Sequence, residues 1–192
     1  QIDYNILQGY MSLFYSDADH LVAWVLKERG ENLIWKTENL TEVINKGAEL
    51  SIQSRFSNGF INKARLNYTF IDQGKSTEAM DSKYSLSYLR HKLVLRLFSK
   101  IDKNWYVSVG STFRDRNGDF GYYNKEENQY DQQKAYTPYW LFDGKIQWKK
   151  NTWILFVEAT NIFNTQYYDV GNIKMPGRWI KAGFVKQFGL QF

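Results

Sequence analysis

The stretch TPYWLFDGKIQWK, residues 137–149, decides how the rest of the chain reads. Its even positions are Trp140, Phe142, Gly144, Ile146 and Trp148. Its odd positions are Tyr139, Leu141, Asp143, Lys145 and Gln147. One face is apolar and has a tryptophan at each limit; the other carries charges and amides. Period-two alternation of this kind makes a strand with one apolar face. At ~3.3 Å per residue the two tryptophans lie about 26 Å apart along the strand. A tilt near 45° reduces this to about 19 Å vertically, against an apolar band of ~25 Å in a membrane barrel.

Working outward, the same alternation recurs. In 152–163, Trp153, Leu155, Val157 and Ala159 share a face. In 105–113, Trp105, Val107, Val109, Ser111 and Phe113 face away from Tyr106, Ser108, Gly110 and Thr112. Eight strands are expected, at 9–26, 33–56, 60–72, 84–98, 105–116, 137–149, 152–163 and 177–192. The first alternates weakly. The fourth, YSLSYLRHKLVLRLF, also places Leu86, Leu89, Leu93 and Leu97 at helical spacing. As a strand it sets Leu89, Leu93, Leu95 and Leu97 against Arg90, Lys92 and Arg96, and its neighbours favour that reading. The last alternates to its end: Ile180, Ala182, Phe184, Lys186, Phe188, Leu190 and Phe192 lie on one face.

The connections at 57–59, 99–104 and 150–151 are short, whereas those at 73–83, 117–136 and 165–176 are long and polar. Short turns on one side and long loops on the other are how outer-membrane barrels join their strands. Two readings compete for the apolar faces: the core of a soluble sandwich, or a wall meeting lipid. Aromatics at strand ends, charges at mid-strand on the opposite face, and strands of ten or more residues favour lipid. The expected interface aromatics are Trp140, Trp148, Trp153 and Trp179.

Composition agrees. The 192 residues include 7 Trp, 14 Tyr and 13 Phe but no Cys, so thiolate catalysis and cysteine-held metals are excluded. The longest apolar run, LVAWVL at 21–26, is far short of the ~18 residues of a membrane helix. The net charge of +5 is scattered, which argues against nucleic acid as a partner. No catalytic constellation is visible, so no enzyme is expected: His20 and His91 stand apart, and the adjacent Glu126 and Glu127 point to opposite sides of an extended segment. No cofactor or metal is assigned, and bound calcium is left open.

The best binding surface is the loop NGDFGYYNKEENQYDQQKAY, residues 117–136. Phe120, Tyr122, Tyr123, Tyr130 and Tyr136 offer flat apolar area, and amides such as Asn128 orient a polar ligand. A loop that touches no ligand, or only a partner protein, is the alternative. Tyr167, Tyr168 and Asp169 form a second candidate. Glu49, Arg55, Arg65 and Arg96 lie on polar faces, where they pair with a plug or across strands.

Three segments, in order, carry a family resemblance: LFDGKIQW (141–148), VEATNIFNTQYYDVG (157–171) and PGRWIKAG (176–183), before the terminal Phe192. With TENLTEVINKGAELSIQSRF (37–56) they resemble the carboxyl-terminal barrel of TonB-dependent outer-membrane transporters. The pattern rests on Asn161, Ile162, Phe163, Asn164 and Tyr167, then Pro176, Gly177, Arg178 and Trp179, with Gly47 and Glu49 further back. YYDVGNIKMPGRW (167–179) is most similar to the vitamin B12 (cobalamin) branch, although siderophore and haem transporters share the terminal motif.

The resemblance implies an all-β, antiparallel transmembrane barrel of 22 strands. Residues 1–192 would be its last eight, with the plug and earlier strands elsewhere. It implies import of a scarce nutrient in the bacterial outer membrane, driven by the TonB complex acting on the plug. Phe188, Leu190 and Phe192 would be read by the barrel assembly machinery. Other expected partners are lipid, the remainder of the transporter and a surface lipoprotein. An independent eight-stranded barrel is the alternative architecture.

Overall fold

The alternating segments pair in chain order, as hairpins must when each apolar face has to stay on one side. In the computed structural model, which describes residues 6–29, 32–75, 88–124, 129–171 and 173–188, the wall strands are β1 (Ile6–Arg29), β2 (Asn32–Arg55), β3 (Lys63–Lys75), β4 (Leu89–Lys100) and β5 (Trp105–Arg116). Two strands, β6 (Asp119–Asn124) and β7 (Gln129–Ala135), form a separate hairpin. The wall resumes with β8 (Tyr139–Lys150) and β9 (Trp153–Thr160), followed by a small ribbon of β10 (Tyr168–Val170) and β11 (Ile173–Lys174), and closes with β12 (Trp179–Lys186). The main sheet is antiparallel, in the order β1-β2-β3-β4-β5-β8-β9-β12.

The register keeps the two faces distinct. Phe113 lies opposite Trp140, Val109 opposite Gly144 and Trp105 opposite Trp148. The same row continues through Leu93, Leu95 and Leu97 on β4 and through Leu155 and Val157 on β9. The opposite face carries Arg96, Asp143, Lys145 and Glu158; it is concave and encloses a groove of about 820 Å³. Lys145 and Lys181 both approach Glu158, at 3.6 and 3.2 Å. Arg65 donates to Gln53 at 2.8 Å and lies over the Phe98 ring, so it pairs across strands.

Among the described residues no second layer covers the apolar row. Among the described residues, Val43, Phe120 and Tyr139 are the buried apolar ones, whereas Val109, Trp140, Leu155 and Phe184 are all open to the surroundings. A soluble sandwich would pack that row against another sheet.

Several boundaries differ from the expected ones. The third strand begins at Lys63 rather than 60, because the turn with Gly59 (φ 110°) extends to Asn62, whose N–H donates to Phe98. The ambiguous fourth segment is a strand from Leu89; its expected start, 84–87, lies outside the described residues. Arg90 is bulged there, since Leu89 pairs with Arg116 and His91 with Asp115. The long loops 117–136 and 165–176 are partly ordered by the β6–β7 and β10–β11 hairpins. The last strand is seen from Trp179 to Lys186, and 189–192 lie outside the described residues.

Trp179 falls on the opposite face from the other predicted interface tryptophans. It pairs with Thr160, in line with the Lys181–Glu158 pair, whereas Lys186 pairs with Trp153. The parity follows from Ile180 and Phe184, which take the apolar side and leave Trp179 on the polar one. Trp105, opposite Trp148, joins Trp153 at the short-turn end instead.

Two glycines let aromatic rings lie flat on the polar face. A Cβ on Gly183 would lie 2.8 Å from Cζ of Phe156, its cross-strand partner, and one on Gly47 would meet Cζ of Phe14 at 2.5 Å. The Lys145 ammonium caps the Phe156 ring at 4.5 Å.

Candidate functional site

The turn after β9 sets the geometry above the wall. Asn161, 5% exposed, adopts φ 49° and donates its backbone N–H to Asp143 on β8 at 2.9 Å. Its side-chain amide donates to the carbonyl of Thr165 and accepts from the N–H of Thr165. Asparagine tolerates the left-handed region and supplies both a donor and an acceptor, which is why it suits this corner. Asn164 repeats the conformation at φ 55°, and its side-chain Oδ1 accepts from Arg178 N–H at 3.0 Å. A Cβ at Gly177 would collide with that oxygen. The Asn-Ile-Phe-Asn and Pro-Gly-Arg segments thus lock together and aim residues 165–175 back over the concave face.

Three groups of side chains meet there. Asp169 receives Arg114 Nη1 at 2.5 Å and Arg116 Nη2 at 3.2 Å, joining the loop to the upper end of β5. All three are mostly shielded, with side-chain exposures of 29%, 19% and 15% for Arg114, Arg116 and Asp169. Phe120 from β6 is sandwiched between Tyr136 and Tyr168, at 4.9 and 5.4 Å between ring centres. Tyr139 packs on Tyr167 at 4.5 Å. The Tyr136 hydroxyl accepts the N–H of Gly171 at 2.8 Å, and the Arg116 guanidinium lies over its ring. Burial is the main cause raising the Tyr167 phenol pKa; Arg114 opposes it, and Asp169 and Asp143 add to it. Tyr167 is therefore a neutral hydrogen-bonding group at neutral pH.

The binding residues expected from sequence divide. Phe120 and Tyr136 enter this cluster, but Phe120 is 7% exposed and serves as its packed centre rather than as an open platform. Tyr122 lies opposite Asp131, and Tyr123 opposite Tyr130, in the β6–β7 hairpin. Asn128 lies outside the described residues, as do Leu190 and Phe192 of the expected assembly signal; Phe188 is 79% exposed just beyond β12. Arg114 and Arg116 were not anticipated. Their spacing puts both on the polar face of β5, but their partner is 53 or more residues away in sequence. The groove on the concave face lies lower, around Arg96, Lys145 and Glu158, and does not include this cluster.

A one-layer antiparallel wall has aromatics at the ends of its bare apolar face, charges on its concave face and ordered loops over one rim. That combination is the design of an outer-membrane β-barrel protein. The chain belongs to the TonB dependent receptor-like, beta-barrel family, whose model matches residues 2–162, and it is accordingly an outer-membrane protein. Among solved structures it is similar to the "Copper transporter OprC", with a TM-score of 0.72 at 11% identity over 95% of this chain. The chain spans 29% of that protein. Among curated proteins no sequence matches.

Proposed function

We propose that this chain supplies part of the wall and outer loops of a TonB-dependent importer, and that its cargo is a corrinoid of the vitamin B12 type. The observation that carries the reading is the half-exposed group of Tyr136, Tyr167 and Tyr168 at the loop-bearing rim, packed on the buried Phe120 and Tyr139, which suits a large, flat, partly polar organic ligand. Its assignment to cobalamin rests on the resemblance of residues 167–179 to that branch. Import would proceed by capture at the rim, followed by TonB acting on a plug seated against the concave face. Arg96, Lys145 and Glu158 are suited to meet such a plug.

A ferric siderophore or haem is the second reading, since the same terminal motif serves those receptors. The relative named for copper shares the fold. In this chain Met11 lies on the apolar face of β1, and the His91 imidazole is tied to the Tyr68 hydroxyl at 2.8 Å on the apolar face of β3 and β4. Neither lies where cargo in the lumen would meet it.

The test is equilibrium binding to the whole receptor in detergent, followed by fluorescence quenching with cyanocobalamin and, separately, with a ferric siderophore. Saturable cyanocobalamin binding, weakened about tenfold by Tyr168→Ala, is expected. Binding of the siderophore alone would move the assignment to the second reading; binding of neither would remove the rim as a cargo site.

A further inference from the structure

Three pairs of like charge stand together on the concave face, towards the short-turn end of the wall. Arg55 lies directly opposite Lys63, and Arg65 directly opposite Arg96. The ammonium groups of Lys100 and Lys149 both lie over the Tyr106 ring, at 5.9 and 4.8 Å. Like charges directly opposite one another destabilise a sheet. None of these cations has a carboxylate partner among the described residues. Arg65 is held by the Gln53 amide and the Phe98 ring, both neutral. Of the carboxylates on this stretch, Asp143 accepts the Asn161 N–H, and Glu158 is shared by Lys145 and Lys181.

The extent of the patch decides what it fits. From Arg55 on β2 to Lys149 on β8 it crosses neighbouring strands β2, β3, β4, β5 and β8. At ~4.8 Å between strands that is about 19 Å, and from Arg96 to Lys100 along β4 it is about 13 Å. Part of it, with Arg96, Lys100, Tyr106 and Lys149, lines the groove of about 820 Å³. A single phosphate or carboxylate would meet one pair and leave the other two unrelieved. A polypeptide face with several carboxylates can meet all three.

We infer that this patch is a docking surface for an acidic polypeptide face, supplied by the part of the receptor outside residues 1–192. Its carboxylates would sit between Arg55 and Lys63, between Arg65 and Arg96, and beside Lys100 and Lys149. Repulsion within the bare wall then becomes attraction across the interface, and complementary charge fixes the register of docking. This rests on the reading of the concave face as the seat of a plug, and it gives that plug its chemistry and its place, low in the wall.

The experiment treats the whole receptor in detergent with a water-soluble carbodiimide, which joins a lysine amine to a carboxylate in contact with it. Cross-linked peptides are read by mass spectrometry. Lys145 and Lys181 should couple to Glu158, 3.6 and 3.2 Å away, and serve as the internal standard. Lys63, Lys100 or Lys149 should couple to Asp or Glu outside residues 1–192. Coupling at Glu158 with none from these three lysines would overturn the proposal. Protection of Lys100 and Lys149 from acetylation by citrate, without such cross-links, would also overturn it and leave a small-anion site.

A pair of variants separates charge from packing. Lys100→Glu with Lys149→Glu should speed protease cleavage outside residues 1–192 severalfold, whereas Lys100→Arg with Lys149→Arg should leave it unchanged. Equal acceleration by both pairs would refute a role for charge. If the Glu pair does not fold, the cross-links of the unaltered receptor decide. Cyanocobalamin binding keeps the two readings apart. Cross-links without it sink only the cargo assignment, and binding without cross-links sinks only the docking surface.

Discussion

Asn161 shows how much one residue can fix. It turns the chain at φ 49°, ties β9 to Asp143 on β8 and closes the turn through two hydrogen bonds with Thr165. Asn161→Ala removes both side-chain bonds, at about 0.5–1.5 kcal/mol each, and imposes a left-handed backbone that costs alanine about 1–2 kcal/mol. We expect a loss of about 2–5 kcal/mol, measured as a lowered unfolding midpoint in denaturant with the receptor in detergent. Asn161→Gly should recover the backbone part and fall between the two. Equal losses for Ala and Gly would mean that conformation plays no part. The Asn-Ile-Phe-Asn motif was legible in sequence as a family mark. Its physical role was not, because Asp143, to which the turn ties β9, lies on another strand.

At the scale of the strand, what matters is which face a residue takes. Val109 sits mid-way along the apolar row of β5, opposite Gly144, and is 47% exposed in the bare wall. Its neighbour Ser108 lies opposite Lys145 on the concave face. Val109→Arg puts a cation at mid-membrane and should cost about 2–4 kcal/mol, while Ser108→Arg should cost far less. The comparison, made by refolding into vesicles across a denaturant series, would refute the assignment of faces if the two variants lost equally. Alternation made the faces of β5, β8 and β9 readable from sequence. It also held the answer for Trp179, whose neighbours Ile180 and Phe184 claim the apolar side. Parity therefore places Trp179 on the polar face, in line with Lys181.

For the whole molecule the central fact is an open sheet. Among the described residues β1 and β12 each pair on one side only, with β2 and β9. Backbone donors and acceptors left open to hydrocarbon cost several kcal/mol per group, so both edges call for neighbouring strands. The eight strands expressed alone should give no folded, heat-modifiable band on semi-native electrophoresis. The whole receptor should give one. A discrete folded band from the eight strands alone would establish closure into a small independent barrel.

Sequence by itself determined the eight wall strands, the two faces of β5, β8 and β9, and the family. Each of these is written locally, in a period of two and in short motifs whose residues are neighbours in the chain. Tertiary structure alone decided the site. Arg114 and Arg116 meet Asp169 because β8, β9 and the Asn161 turn carry a distant loop back over β5. Phe120 became a packed centre because two loops converge on it. Such contacts depend on where loops land after the wall has formed, and no periodicity in the chain encodes that.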